Sequence, residues 1–354
     1  MGDRIVHVVG TGTIGAPLIG ILASLRERFG IDEVTFHKRS PLRSDRPKVW
    51  ALEQRGAKLC VDRERWRNFK KMDMAPSYEA EEAIERAKAI IDCTPAGNEN
   101  KEKFYQRYAN NGRGFITQGT EFGFGKMYAR GINDHALIKG IDRFIQVVSC
   151  NTHSLAVLID SIALGPEKEN NLEDGLFVCM RRANDISQEG GFIPAPEVER
   201  HDDPRFGTHQ GRDVHGLFQT LGLDLNLYSS VIRVNTQYTH TIFFDMKLRR
   251  RVTLTDVIAR IKADRRIALT EKKSSAAVFS FGRDYGLFGR ILNQTVIATQ
   301  SLALKGDREI VGMCFTPQGG NSLPSSIGST LWYLYPDSYE ERMSALDPYF
   351  FNEI

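Results

Sequence analysis

Cys150 stands where the largely apolar run Ile145 to Val148 gives way to the small and polar residues Ser149, Asn151, Thr152 and His153. If a helix starts there, its N-terminal N–H groups lower the thiol pKa and favour the nucleophilic thiolate. The alternative is a buried structural cysteine, the commonest state of an unpaired one. His153 follows Cys150 by three, so on a helix both share a face and His153 lines the substrate pocket; it could equally be a solvated first-turn residue. His240 lies in the alternating segment Ser230 to Leu248 and by itself reads as a satisfied sheet histidine. Arg181 and Arg182 follow the apolar Phe177 to Met180, and such a pair makes an anion clamp, because a guanidinium engages phosphate bidentately. A structural ion pair with Asp185 or Asp213 is the competing reading. His209 falls in the turn-rich segment Gly207 to Asp213, either in a site or as a turn residue capping backbone.

The elements that must position these residues begin with the apolar run Arg4 to Val9, followed by Gly10, Gly12, Thr13, Ile14 and Gly15 and then a helical pattern from Pro17 to Gly30. Strand, glycine turn and helix in that order form a dinucleotide-binding fingerprint. The first glycine permits the turn, the second lets backbone approach a pyrophosphate, and the third allows close packing at the helix N-terminus. A second strand, Glu33 to His37, ends in Lys38, Arg39 and Ser40. An acidic residue there would hold a ribose 2′-hydroxyl; the basic ones predict that NADP(H) is used at least as well as NAD(H). A buried strand from Ala89 ends in Asp92, Cys93, Thr94 and Pro95, and Gly114 to Gly119 ends in Gln118 and Gly119. Both ends belong to the crevice where open α/β sheets bind ligands. The β–α alternation from residue 4 to about 149 implies a doubly wound parallel sheet, a Rossmann-like domain. From about 172 the pattern turns to long alternating strands, with Ser230 to Leu248 read as one of them, in a mostly antiparallel sheet with one open face.

The chain's 354 residues exceed the usual single-core limit, so two domains are expected: 1–149, and a catalytic α+β domain over 150–321. A net charge of +3 without a long basic stripe points to neither nucleic acid nor a membrane surface. Five cysteines with no CxxC pair predict no disulfide framework and a reducing cytoplasm as the home. No signal peptide, 18-residue apolar stretch, metal constellation or internal repeat is read.

Taken in order, these motifs resemble the archaeal-type, or type II, glyceraldehyde-3-phosphate dehydrogenases nearly end to end. That family's GYGTIG, DATP or DCTP, FQGGE and SCNTT resemble Gly10 to Gly15, Asp92 to Pro95, Thr117 to Glu121 and Ser149 to His153. Its RRAxDP, SHHGPDV, PTTLMH and HQESDIVPE resemble Arg181 to Ile186, Thr208 to Val214, Asn235 to His240 and Pro317 to Pro324. The resemblance implies Cys150 as nucleophile, His240 as base, Asn151 as a helper of the oxyanion, and Thr152, Arg181 and His209 as holders of phosphates. It places Gln318 at the cofactor, and returns a helix within residues 322–354 to the first domain. It further implies oxidation of glyceraldehyde 3-phosphate with inorganic phosphate, and a homotetramer. Departures at His153, Gln210 and Asn235 keep open a relative acting on another acyl phosphate or semialdehyde. A nucleotide-binding redox sensor without catalysis is the third reading; it requires an unreactive Cys150.

Overall fold

The computed structural model describes residues 4–184 and 190–354; Asp185 and Ile186, named above, lie outside the described residues. The chain divides into two compact units, one of residues 1–128, 137–147 and 323–348, the other of 129–136, 148–322 and 349–354.

The first unit is built on eight strands: β1 (Ile5–Val9), β2 (Glu33–His37), β3 (Ala57–Val61), β4 (Tyr78–Glu79), β5 (Ala89–Asp92), β6 (Gly114–Gln118), β7 (Lys126–Tyr128) and β8 (Phe144–Val147). Their order is β4-β3-β2-β1-β5-β6-β8-β7, and every adjacent pair is parallel. β1 and β5 are fully buried runs, as a strand covered on both faces must be. The order reverses between β1 and β5, so a crevice opens at their C-terminal ends, beside Gly10 and Cys93. The helix Leu323–Leu334 also belongs to this unit and is buried from Leu323 to Tyr333. Gly114 is required beneath it, since a Cβ there would sit 2.2 Å from the Tyr333 ring.

The second unit carries β9 (Leu172–Arg181), β10 (Glu197–Val198), β11 (Leu227–Arg233), β12 (His240–Leu248), β13 (Ile267–Thr270), β14 (Thr295–Ala298), β15 (Ala303–Lys305) and β16 (Glu309–Thr316). The order is β10-β11-β9-β12-β16-β14-β13, with β15 also on β16; β11–β9 and β13–β14 are parallel and the other pairs antiparallel. The α/β class and the mixed, mostly antiparallel second sheet agree with the sequence. One element does not. Ser230 to Leu248 is not a single strand: it forms β11 and β12, which pair with opposite edges of β9. The chain leaves the ladder after Arg233, and Tyr238 has φ +79°, a left-handed conformation that no continuous strand of side-chain-bearing residues adopts. A period-two pattern runs unbroken through such a kink, so alternation alone does not reveal it. Phe177 and Phe244 face each other across β9 and β12 in the core. Truncating either to Ala would cost about 3–5 kcal/mol.

Among the described residues, no helix is long and apolar enough to cross a membrane.

Candidate active site

In the second unit, Cys150 opens the helix Cys150–Leu158. Ser149 is its N-cap: the Ser149 hydroxyl accepts from Thr152 N at 3.3 Å and lies 2.8 Å from the Thr152 hydroxyl. The Cys150 thiol is half-buried, at the helix end whose dipole favours an anion. One turn along the same face, Ser154 donates to the carbonyl of Gln294 at 2.8 Å and to the Thr316 hydroxyl at 3.1 Å. Thr316 is the cross-strand partner of His240. Asn321 Nδ2 donates to the Cys150 carbonyl at 2.9 Å and to that of Gln294 at 3.0 Å. The Cys150 helix, the end of β16 and the start of β12 are therefore linked by hydrogen bonds, with Cys150 opening that helix and His240 opening β12.

His240 is 4% exposed. Burial, then the positive charges of Arg182 and Arg181, push its pKa down to about 3, against a small opposing effect of the Gln318 amide. The imidazole is thus neutral and able to accept a proton. Arg182 Nη1 donates to the Tyr238 carbonyl at 3.2 Å, a carbonyl that the left-handed Tyr238 backbone turns toward it. Arg181 instead pairs with Glu199 at 2.5 Å. Of the ion-pair partners considered for the arginines, Asp213 pairs with Arg212 at 3.1 Å, and Asp185 lies outside the described residues. Burial raises the Asp213 pKa and lowers that of neighbouring His209, which opens the helix His209–Gln219.

The residues around the Cys150 helix and the His209 turn are largely buried. His153 has no exposed surface, and its Nδ1 lies 2.9 Å from the Ser149 carbonyl, so the ring is turned into the protein instead of lining an open pocket. Burial pushes its pKa down to about 4. Thr152 is fully buried, with its hydroxyl engaged in the cap. Gln210, also buried, accepts from the Thr208 hydroxyl at 2.6 Å. Asn151 is 4% exposed, and its Oδ1 has no hydrogen-bond partner.

In the first unit, Gly10 has φ +96° and donates to the His37 carbonyl at 3.2 Å. A Cβ on Gly15 would lie 2.1 Å from the Gly10 carbonyl, whereas one on Gly12 would meet nothing within 4 Å. Thr13 and Ile14 complete the turn; Ile14 is the N-cap of the helix Gly15–Ser24 and provides no side-chain cap. A tight turn, open space over its middle glycine and a helix N-terminus without a side-chain cap fit a dinucleotide's pyrophosphate. Asp92 fixes the neighbouring Thr94–Pro95 loop, accepting from the Thr94 hydroxyl at 2.6 Å, Asn100 Nδ2 at 2.7 Å and the Tyr105 hydroxyl at 2.7 Å. Gln118 accepts from Ser326 at 3.0 Å and holds a buried Nε2 without an acceptor; Gly119, φ +79°, faces open space. At the end of β2, Lys38 is tied to Asp45 at 2.6 Å, so the predicted cation is already neutralised. Arg39 stays exposed, beside Ser40. Asp45 also takes Lys48 at 3.0 Å, and Lys48 Nζ is 3.4 Å from the Thr11 carbonyl, over the glycine turn. Sequence reasoning passed over Asp45 and Lys48; their i, i+3 spacing beside a basic strand end was the available signal.

No family model matches the chain. Against curated proteins, it is 27% identical over 318 residues to glyceraldehyde-3-phosphate dehydrogenase of Pyrobaculum islandicum, covering 85% of this chain and 84% of that protein. It is 26% identical over 341 residues to the enzyme of that name from Methanobacterium formicicum, covering 91% of each, and 28% identical over 301 residues to that of Methanopyrus kandleri, covering 81% and 79%. Over most of its length the chain is similar to glyceraldehyde-3-phosphate dehydrogenases of archaea. Two departures from the motifs of the glyceraldehyde-3-phosphate dehydrogenases are accommodated locally: Gln210 is bonded inside its own turn, and Asn235 is exposed between β11 and β12.

Proposed function

We propose that the chain is a phosphorylating aldehyde dehydrogenase, oxidising glyceraldehyde 3-phosphate to an acyl phosphate with a nicotinamide cofactor and inorganic phosphate, reversibly and through a thioester on Cys150. The observation carrying this reading is the stitching of the Cys150 helix to the β12 start that holds His240, through Ser154–Thr316 and Asn321–Cys150. The relationship to enzymes named glyceraldehyde-3-phosphate dehydrogenase supports the substrate.

In this reading the Cys150 thiolate attacks the aldehyde carbon, forming a C–S bond and an oxyanion. First-turn N–H groups and the Asn151 side chain stabilise that charge. The oxyanion takes up a proton from solvent, and neutral His240 accepts that hydroxyl proton as hydride leaves the thiohemiacetal carbon. A bound nicotinamide supplies the hydride acceptor, which leaves a thioester on Cys150. Phosphate oxygen then attacks the acyl carbon, the C–S bond breaks, and thiolate returns to Cys150. His209, at a helix N-terminus near Arg181, suits the substrate's own phosphate. Gly10 to Gly15, Thr94, Pro95, Gln118 and Gly119 hold the cofactor, with Gln318 beside His240 on the substrate side. Arg39 and Lys48 leave a net positive charge near the β2 end even with Lys38 neutralised, which supports use of NADP(H) at least as well as NAD(H). A homotetramer is the proposed assembly. The alternative of another acyl phosphate or semialdehyde rests on the departures at His153 and Gln210, and both side chains are buried and hydrogen-bonded within the protein.

The test is initial-rate reduction of NADP⁺ and NAD⁺ by glyceraldehyde 3-phosphate, with and without phosphate, in wild type beside Cys150→Ser. Phosphate-dependent activity lost in the variant is expected. A folded wild type that binds NADPH yet turns over another aldehyde faster would move the assignment to that substrate.

A further inference from the structure

Gln294 belongs to no motif, yet hydrogen bonds from separate segments of the second unit converge on it. Its carbonyl accepts from the Ser154 hydroxyl at 2.8 Å and from Asn321 Nδ2 at 3.0 Å, and Asn321 also holds the Cys150 carbonyl. Its own N–H donates to the Arg266 carbonyl at 2.6 Å, and its Nε2 to the Arg130 carbonyl at 2.6 Å. Arg130 lies in Ala129–Ala136, the stretch of the second unit that the chain forms between β7 and residue 137. The next residue of that stretch is held in turn: Arg266 Nη1 donates to the Gly131 carbonyl at 2.6 Å, while Arg266 Nη2 pairs with Asp160 at 2.6 Å. Asp160 is buried in the π-helical turn Ile159–Leu164, which continues the Cys150 helix. Both ends of this helical run are therefore tied to adjacent carbonyls of one segment, the start through Ser154 and Gln294 and the far end through Asp160 and Arg266.

We propose that Gln294 is a positioning residue for Cys150, fixing the carbonyl on which Ser154 and Asn321 both end. The inference rests on the proposed reaction, in which Cys150 is the nucleophile, and gives that reaction a residue acting through two others. Gln294 is buried, and its peptide is gripped from two directions, by Arg266 at its N–H and by Arg130 at its side chain. With the Nε2 bond removed, Arg266 alone holds the peptide, and the carbonyl can turn away from both donors. The first turn of the Cys150 helix then loses the acceptor that anchors Ser154 and Asn321. A displacement of about 1 Å at a reacting atom costs about 10²-fold in rate, so a small shift of this turn is enough to matter. A glutamine that only supported the fold would lower stability and leave the thiol of folded molecules as reactive as before.

The experiment uses the full chain and compares wild type with Gln294→Met, which keeps the side chain's length and removes its donor, and with Thr220→Val. The second variant cuts another tie to the same segment, the 2.9 Å bond from Asn133 Nδ2 to the Thr220 hydroxyl. Alkylation by iodoacetamide is followed on the Cys150 peptide by mass spectrometry, without substrate or cofactor. Steady-state constants are measured with glyceraldehyde 3-phosphate, NADP⁺ and phosphate. Gln294→Met should slow alkylation about three- to tenfold and lower kcat about tenfold or more, with the KM for aldehyde and the affinity for NADPH within about twofold. Thr220→Val should lower the urea midpoint and leave alkylation and kcat as in wild type. Wild-type alkylation and kcat in Gln294→Met would overturn the proposal. Equal slowing in Thr220→Val would do so too, because the effect would then be one of general stability. Alkylation that depends on Gln294 in a protein inactive on glyceraldehyde 3-phosphate would sink the substrate assignment and leave the positioning role standing. Should Gln294→Met fail to fold, Gln294→Asn, whose amide falls one methylene short of Arg130, carries the same comparison.

Discussion

Asn321 Nδ2 bridges two carbonyls, that of Cys150 at 2.9 Å and that of Gln294 at 3.0 Å. The carboxamide thus ties the turn after β16 to the first residue of the Cys150 helix. Each bond contributes about 0.5–1.5 kcal/mol, and a buried carbonyl left unpaired costs about 1–3 kcal/mol. Asn321→Ala should therefore lower stability by about 2–4 kcal/mol, measured by urea unfolding. It should also reduce kcat more than the KM for aldehyde, since it loosens the position of the thiol. NADPH binding, which depends on the other unit, should stay within twofold; a tenfold loss there would show a global defect instead.

His240 separates from Cys150 kinetically. Under the proposed mechanism Cys150→Ser removes the nucleophile and should abolish turnover together with rapid thiol labelling. His240→Asn keeps the nucleophile and removes a base, so kcat should fall about 10²–10⁴-fold while alkylation of Cys150 persists. Because burial and two arginines hold the imidazole near 3, kcat/KM for aldehyde should show no acid limb assignable to His240 near pH 6.5. A limb at pH 6.5 that vanishes in His240→Asn would contradict that environment.

Three buried histidines make the fold acid-sensitive. His7, His153 and His240 have pKa values pushed down by burial to about 3, 4 and 3. In the unfolded chain they return to about 6.5, so between pH 6.5 and 4 the unfolded state binds more protons and stability falls as pH drops. Each contributes a slope of up to about 1.4 kcal/mol per pH unit. Urea midpoints of the wild type should decline steeply from pH 7 to 5. His153→Gln should be less stable at pH 7 but show the shallower decline. Parallel pH profiles for the two proteins would mean that His153 is already solvated in the native state.

The fold class was legible because it is written locally. Gly10, Gly12 and Gly15 follow a buried strand and precede a helix within a few residues, and the β–α alternation repeats. Period-two alternation marked the second sheet, but the left-handed Tyr238 left no trace in it, so β11 and β12 were read as one. What neutralises a predicted cation was less visible. Asp45 reaches Lys38 from a turn seven residues on, and Glu199 reaches Arg181 across 18 residues through the pairing of β10 with β11. His153 was placed by helical spacing on the face of Cys150, but spacing does not say which way the ring turns, and the Ser149 carbonyl draws it inward.

In the proposed reading, the preference between NADPH and NADH should respond to one carboxylate. Asp45 sits between Lys38 at 2.6 Å and Lys48 at 3.0 Å, and so subtracts one charge from the basic group at the end of β2. Burial opposes ionisation of Asp45, but its hydrogen bonds and charge pairing with the two lysines hold its pKa below the ordinary value, so the neutralisation persists at pH 7. Asp45→Asn releases both lysines and should tighten NADPH about three- to tenfold while leaving NADH nearly unchanged, because only NADPH carries the 2′-phosphate. Lys48→Met should do the reverse, weakening NADPH more than NADH, and the difference should shrink at high salt as exposed charges are screened. Fluorescence titration of both cofactors in the three proteins gives the answer directly. If Asp45→Asn shifts NADH and NADPH equally, the lysines act on the shared pyrophosphate above Thr11 and not on the 2′-phosphate.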